Sequence, residues 1–177
     1  AKTPAGAYGT AVHSTLEKIT VHLKQGGTYP NTDEVISWFT HFLKKEKLAP
    51  HDFAQYLERG TDSLKIFCDA EKDSCSPKDI VEFNFKDQGV RVADAHLSGK
   101  IDKITETPDG YVVTDYKTGK AYSEWSQSVT KLYEYERQLV FYKILVEGSR
   151  EFTHKKKVTK GALVFVEPKN KKIVTLP

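Results

Sequence analysis

Apolar residues recur at helical spacing through most of the first 75 residues. Between residues 8 and 25 they fall at every third or fourth position, and a Gly-Gly pair ends the run. A second helix is predicted to begin at Asn31 or Thr32, because these residue types cap helices and two acidic residues follow. Two shorter helices are predicted next, at about 52–59 and 62–72, separated by Gly60.

The pattern changes to strand-like alternation after Pro77. From Ile80 to Phe85 the apolar residues Val81, Phe83 and Phe85 alternate with polar ones, which predicts a strand with one buried face. Helical spacing returns between Thr130 and Glu147. The other predicted strands are a stretch from Val90, the two arms of a hairpin at 97–119, and the segments 161–166 and 173–176, divided by a Pro-Lys-Asn turn.

This order of elements predicts an α/β fold, in which a central mixed β-sheet is flanked by helices and preceded by an N-terminal helical portion. We expect a single domain over residues 1–177, with its helical part at about 8–75 and its sheet core at about 77–177. The chain begins with Ala1 and contains no methionine, so we expect it to be excised from a longer protein.

The hairpin turns at Pro108-Asp109-Gly110 and admits two registers. If the loop centres on Pro108-Asp109, Asp102 lies directly opposite Asp115. If it centres on Asp109-Gly110, Asp102 lies opposite Lys117, with Asp115 diagonal to it. Either register places the three side chains on one face, whereas a slip by one residue would move Asp115 and Lys117 to the other face.

Two carboxylates and a lysine on one strand face have two interpretations. Carboxylates held a few ångströms apart repel each other, and a divalent cation between them is the usual way to keep both ionised. Hard oxygen ligands favour Mg²⁺ or Mn²⁺, and the lysine could orient water or stabilise charge on a phosphate oxygen. The alternative is an ordinary solvated strand face, since charged side chains are common there.

Composition narrows the remaining possibilities. The net charge of +3 is too small for binding nucleic acid by charge alone, although Lys155-Lys156-Lys157 and the lysines 169, 171 and 172 make the C-terminal part basic. No apolar run approaches the length of a membrane span. Cys68 and Cys75 are too few for a zinc or iron–sulfur site, so we expect reduced thiols in a cytoplasmic protein.

Four short motifs occur in order along the chain. They are Gly9 to His13 with Glu17, Gly99 to Asp102, Asp115 to Gly119, and Gln138 to Tyr142. This ordered set resembles the RecB-type branch of the PD-(D/E)xK nuclease superfamily, whose pattern is G-x-x-x-H-x-x-x-E, then G-x-hydrophobic-D, D-Y-K-T-G and Q-x-x-x-Y. Members with a four-cysteine iron–sulfur cluster are excluded, because two cysteines cannot supply it.

The resemblance implies a restriction-endonuclease-like core and a role for each motif residue. His13, Asp102 and Asp115 would bind Mg²⁺ or Mn²⁺, together with the backbone carbonyl of Tyr116. Lys117 would be the catalytic lysine, acting beside Asp102 and Asp115. Gln138 and Tyr142 would position the nucleic acid strand or the hairpin, and Glu17 would lie near the site without binding the metal.

The implied activity is metal-dependent hydrolysis of DNA phosphodiester bonds, in single strands or at duplex ends, during repair or recombination. Cluster-free members of the branch often lie at the end of a UvrD/Rep-like helicase, so we expect a helicase motor in the same chain or complex. One alternative is a catalytically inactive module that retains the fold and binds nucleic acid or scaffolds a helicase. Another is an RNA nuclease, because no motif reports on the 2′-hydroxyl.

Overall fold

The computed structural model describes residues 2–152, 155–169 and 172–177. Asn170 of the predicted Pro-Lys-Asn turn and Lys171 of the basic C-terminal part lie outside these ranges. The α-helices are α1 (Pro4–Gly26), α2 (Thr32–Lys45), α3 (Pro50–Glu71) and α4 (Thr130–Gly148). The strands are β1 (Ile80–Asn84), β2 (Arg91–Val92), β3 (Ala95–His96), β4 (Lys100–Glu106), β5 (Tyr111–Lys117), β6 (Val158–Lys169) and β7 (Lys172–Leu176).

The mixed α/β fold that the sequence predicts is confirmed. Five strands of the described chain form one sheet in the order β1-β4-β5-β6-β7, and β2 and β3 form a separate hairpin. Strand β4 pairs antiparallel with both β1 and β5. The first residues of β5 and β6 meet, since the Tyr111 backbone N–H donates to the Lys157 carbonyl at 2.8 Å. Because α4 connects these two strands, they form a parallel β-α-β unit.

The chain divides into two compact units, and the division falls within β5, β6 and β7. Unit 1 consists of Ala1–Pro77, Tyr116–Ala121 and Val164–Val174, and unit 2 of Lys78–Asp115, Tyr122–Leu163 and Thr175–Pro177. Each unit has its own hydrophobic cluster. The cluster of unit 1 is built mainly from α1, α2 and α3, and that of unit 2 from β1, β4, β5 and α4.

Helix boundaries in unit 1 follow local capping chemistry. The Thr3 side chain accepts a hydrogen bond from the Gly6 backbone N–H at the start of α1, and Gly27 ends the helix with a left-handed φ of 73°. Asn31 and Glu34 form a reciprocal capping box at the start of α2. The helices predicted at 8–25 and from Asn31 or Thr32 therefore exist close to their expected boundaries.

The prediction of two short helices separated by Gly60 is wrong. Helix α3 runs without interruption from Pro50 to Glu71, with Gly60 buried in its interior. A Cβ atom at this position would lie 2.2 Å from Phe39 Cζ and 3.0 Å from Tyr8 Cε2. The glycine is therefore required by the close approach of the Phe39 ring and does not break the helix.

Strand β1 departs from its predicted alternation. Ile80 and Phe83 pack against the core of unit 2 and Phe85 is fully buried, whereas Val81 is only half-buried and lies outside that core. Glu82 has a φ of 51°, which interrupts the regular alternation of side chains. This local backbone conformation could not be predicted from the apolar pattern.

In the described residues, no helix has the length and apolar character that a membrane span requires.

Replacing Gly60 by Ala should destabilise the protein. The new methyl group would lie 2.2 Å from Phe39 Cζ, so the overpacking cost falls in the upper part of about 1–3 kcal/mol and exceeds the gain of about 1 kcal/mol in helix propensity. We expect a lower free energy of unfolding in urea and a melting temperature lower by about 2–6 °C. Gly26→Ala is the control, because a Cβ there has no neighbour within 4 Å. A Gly60→Ala protein at least as stable as the parent would contradict the conclusion that Phe39 packs too closely on Gly60 for a side chain.

Candidate active site

The β4–β5 hairpin adopts the first of the two predicted registers. Lys103 pairs with Thr114 and Glu106 with Tyr111, so the same register places Asp102 opposite Asp115. Thr107 and Gly110 exchange backbone hydrogen bonds of 2.8 and 3.3 Å across a loop of Pro108 and Asp109. A Cβ at Gly110 would lie 2.4 Å from the Lys157 carbonyl oxygen, so only glycine fits at this turn.

Asp115 is buried at the end of a chain of hydrogen bonds from α4. It is 4% exposed, and its Oδ1 accepts a hydrogen bond from the Tyr142 hydroxyl at 2.9 Å. Gln138 Nε2 in turn donates to the Tyr142 oxygen at 2.8 Å. Burial, followed by the negative charge of Asp115, raises the pKa of Tyr142 far above its usual range. Tyr142 therefore remains a neutral donor to the Asp115 carboxylate at physiological pH.

The second motif glycine allows α4 to lie close to the hairpin. A Cβ at Gly99 would be 2.9 Å from Leu145 Cδ1 and 3.3 Å from the Phe141 ring. Leu145 is fully buried and follows Tyr142 by three residues on the same helix. The close packing at Gly99 is thus part of what brings the Tyr142 hydroxyl within reach of Asp115.

Glu82 is a candidate site residue that the sequence analysis missed. It lies on β1 between Val81, which pairs with Lys103, and Phe83, which pairs with Ile101. One of its carboxylate oxygens lies within 4.8 Å of an Asp102 carboxylate oxygen. Lys100 also forms an ion pair with Glu82. Alternation assigned Glu82 to the solvent side of β1, and the only signal for its role was an acidic residue on a strand next to the hairpin.

These carboxylates suit a hard divalent cation. An ion that binds two oxygens at the distances of about 2.0–2.6 Å typical of Mg²⁺ and Ca²⁺ leaves those oxygens at most about 5 Å apart. The separation within 4.8 Å between Glu82 and Asp102 meets this condition. The carboxylate oxygens of Glu82 and Asp102 favour Mg²⁺ or Mn²⁺ over softer metals.

Tyr116 and Lys117 belong to unit 1. The Tyr116 ring is 8% exposed and packs edge-to-face on Phe67, with ring centroids 5.9 Å apart. Its side chain therefore serves the core, which is compatible with only its backbone carbonyl acting as a ligand. Lys117 is the half-buried last residue of β5, two positions after Asp115, and alternate residues of a strand point to the same face.

The first motif lies on α1, in unit 1. His13 is half-buried and Glu17 is exposed one helical turn later. Gly9 packs against the end of β5, because a Cβ there would lie 3.3 Å from Thr118 Oγ1. A side chain at this position would crowd the Thr118 hydroxyl. The predicted role of His13 as a metal ligand and that of Glu17 near the site stay predictions.

Comparison with known proteins identifies the family. The family model described as the PD-(D/E)XK nuclease superfamily matches residues 1–176, nearly the whole chain. No curated protein matches the chain significantly in sequence. The five-stranded mixed sheet with flanking helices and the acidic hairpin agree with the restriction-endonuclease-like fold of that family. The chain belongs to the PD-(D/E)XK nuclease superfamily.

Proposed function

We propose that this protein hydrolyses DNA phosphodiester bonds with Mg²⁺ or Mn²⁺. The observation that carries the proposal is the hairpin on which Asp102 lies opposite Asp115, with Asp115 held by the Tyr142 hydroxyl. Membership in a nuclease superfamily supports cleavage of nucleic acid by metal-dependent chemistry. The RecB-type order of the motifs supports a role in DNA repair or recombination, on single strands or duplex ends, beside a helicase motor.

The proposed metal ligands are Asp102 and Asp115, with Glu82 beside them. The motif pattern adds His13 and the Tyr116 carbonyl as further ligands. A bound divalent ion would polarise the scissile phosphate and lower the pKa of bound water. The role of Asp115 is to keep its carboxylate in a fixed orientation, for which the bond from Tyr142 provides the restraint.

Lys117 is proposed as the catalytic lysine. As a cation it would orient the attacking water and offset the negative charge that develops on the phosphate. Gln138 would act through Tyr142, because its amide group donates to the Tyr142 oxygen and directs the hydroxyl hydrogen towards Asp115. Both residues on α4 are therefore proposed to position Asp115, with no direct contact to the substrate required.

Removing the proposed metal ligand or the lysine should abolish cleavage. We expect Asp115→Asn and Lys117→Ala to lower kcat by at least about 10²–10³-fold, as loss of a charge-stabilising group in an active site does. The assay uses end-labelled single-stranded and duplex DNA, with RNA of the same sequence, in Mg²⁺ or Mn²⁺. Asp109→Asn is the control, since Asp109 is an exposed acid at the tip of the same hairpin. Parental cleavage by Asp115→Asn would disprove the proposal.

Metal binding separates the nuclease from an inactive module with the same fold. Calorimetric titration with Mn²⁺ should show specific binding that Asp102→Asn eliminates and Glu82→Gln weakens by about 10-fold, because each removes a charged oxygen ligand. Replacing His13 by Ala should weaken binding as well. An inactive scaffold would give no binding that depends on Asp102, and this result would reject the catalytic proposal.

Tyr142→Phe should slow cleavage without weakening substrate binding. The variant lacks one hydrogen bond to a buried carboxylate, worth about 1.5 kcal/mol, so kcat should fall about 10-fold while KM stays unchanged. Tyr133→Phe is the control, because Tyr133 is 50% exposed on the same helix. Equal kcat values for Tyr142→Phe and the parent would show that the tyrosine does not position Asp115.

A further inference from the structure

A basic pocket in unit 1 lies just beyond the end of β5. It has a volume of about 260 Å³ and is lined by Arg59, Lys120, Ala121, Glu167, Pro168 and Lys169. Lys120 follows the D-Y-K-T-G motif directly, and the exposed side chains of Lys120 and Lys169 flank the pocket. None of the roles argued above uses these residues.

Arg59 is held in a fixed position at this pocket. Its Nε donates to Glu167 Oε2 at 2.7 Å, and its Nη2 contacts the same oxygen and lies 3.5 Å from the Thr118 carbonyl. The guanidinium lies 5.3 Å from the Tyr8 ring centre and 5.7 Å from that of Tyr56, and these two rings stack at 4.9 Å. Contacts on several sides thus orient the guanidinium before any ligand arrives.

The Arg59 guanidinium has further N–H donors beyond those that contact Glu167 and Thr118. It carries five N–H groups, and over the described residues its hydrogen bonds come from Nε and Nη2 alone. The Arg59 side chain is 38% exposed. A planar guanidinium with free N–H groups matches the geometry of phosphate oxygens.

The charge of the pocket favours an anion. Its lining contains three cationic side chains and one carboxylate, which gives a formal net charge of +2. Burial raises the pKa of Tyr8 to about 12, so this neighbour adds no negative charge at neutral pH. A phosphodiester, which carries a single charge and two acceptor oxygens, fits this excess without requiring a metal.

The position of the pocket indicates which phosphate it would take. Arg59 reaches the carbonyl of Thr118, the residue that follows the proposed catalytic Lys117. We infer that Arg59, Lys120 and Lys169 bind a backbone phosphate of the nucleic acid strand next to the phosphate that is cleaved. This inference rests on the proposed function, and it assigns the pocket to the sugar–phosphate backbone, so the bases are not read there.

Binding without metal tests the inference independently of cleavage. The Kd of a fluorescent single-stranded DNA oligonucleotide is measured by anisotropy in EDTA over a series of salt concentrations. The double variant Lys120→Ala/Lys169→Ala should bind about 5- to 10-fold more weakly, and the slope of log K against log salt should fall by about 0.7 for each phosphate that the variant no longer neutralises. Lys44→Ala is the matched control, an exposed lysine in the last turn of α2.

Glu167→Gln gives a prediction of opposite sign. The change removes only the negative charge of the pocket, so the oligonucleotide should bind about 3-fold more tightly as local repulsion disappears. Weaker binding together with a lower melting temperature would mean that the Arg59–Glu167 pair only joins α3 to β6. RNA of the same sequence should respond to both changes as DNA does, since a backbone phosphate is common to both, and a DNA-only effect would reject a phosphate contact.

The two proposals fail in distinguishable ways. If Lys120→Ala/Lys169→Ala has the parental Kd and salt slope, the pocket does not bind a phosphate. This result would not affect the proposal of metal-dependent cleavage. Under multiple-turnover conditions in Mg²⁺, the pocket variant should raise KM and preserve kcat, because the pocket acts on binding. A fall in kcat at unchanged KM would instead reject this role.

Discussion

The candidate site depends on one constraint, which is that two carboxylates face each other across a hairpin and one of them is buried. Asp115 is 4% exposed, and a buried carboxylate without compensating interactions costs several kcal/mol. The Tyr142 hydroxyl supplies a donor, and the raised pKa of Tyr142 keeps that donor neutral and protonated. Asp102 lies opposite on the neighbouring strand, and a divalent cation of the kind proposed here would keep both carboxylates ionised.

Strand β1 has a strained backbone conformation at Glu82, next to Asp102. Glu82 is one of the few residues other than glycine in the described chain with a positive φ, and such a conformation costs about 1–3 kcal/mol. One of its carboxylate oxygens lies within 4.8 Å of an Asp102 carboxylate oxygen. Backbone strain and clustered titratable groups are both frequent at functional sites, which supports the proposal of a metal site here.

The sequence predicted those parts that local chemistry determines. The hairpin could be located because Pro108, Asp109 and Gly110 encode a tight turn, but its register was left open between two alternatives. Capping chemistry limited the cap of α2 to Asn31 or Thr32, and the structure has Asn31 as the cap.

The errors came from contacts between residues distant in sequence. Gly60 was interpreted as a break because its role depends on Phe39, some twenty residues earlier, whose ring occupies the space of a side chain. Glu82 was assigned to solvent because neither its left-handed φ nor the pairing of β1 with β4 can be derived from alternation. The ordered motifs predicted Asp102, Asp115, Gln138 and Tyr142 as site residues, and hydrogen bonds join the last three of them in the structure.

Anomalous diffraction from crystals soaked in Mn²⁺ tests the central claim most directly, because it locates the ion independently of activity. The account predicts a strong peak in contact with the carboxylates of Asp102 and Asp115, and no such peak in crystals of the Asp102→Asn protein. A peak only at other residues, or none at saturating Mn²⁺, would contradict the account.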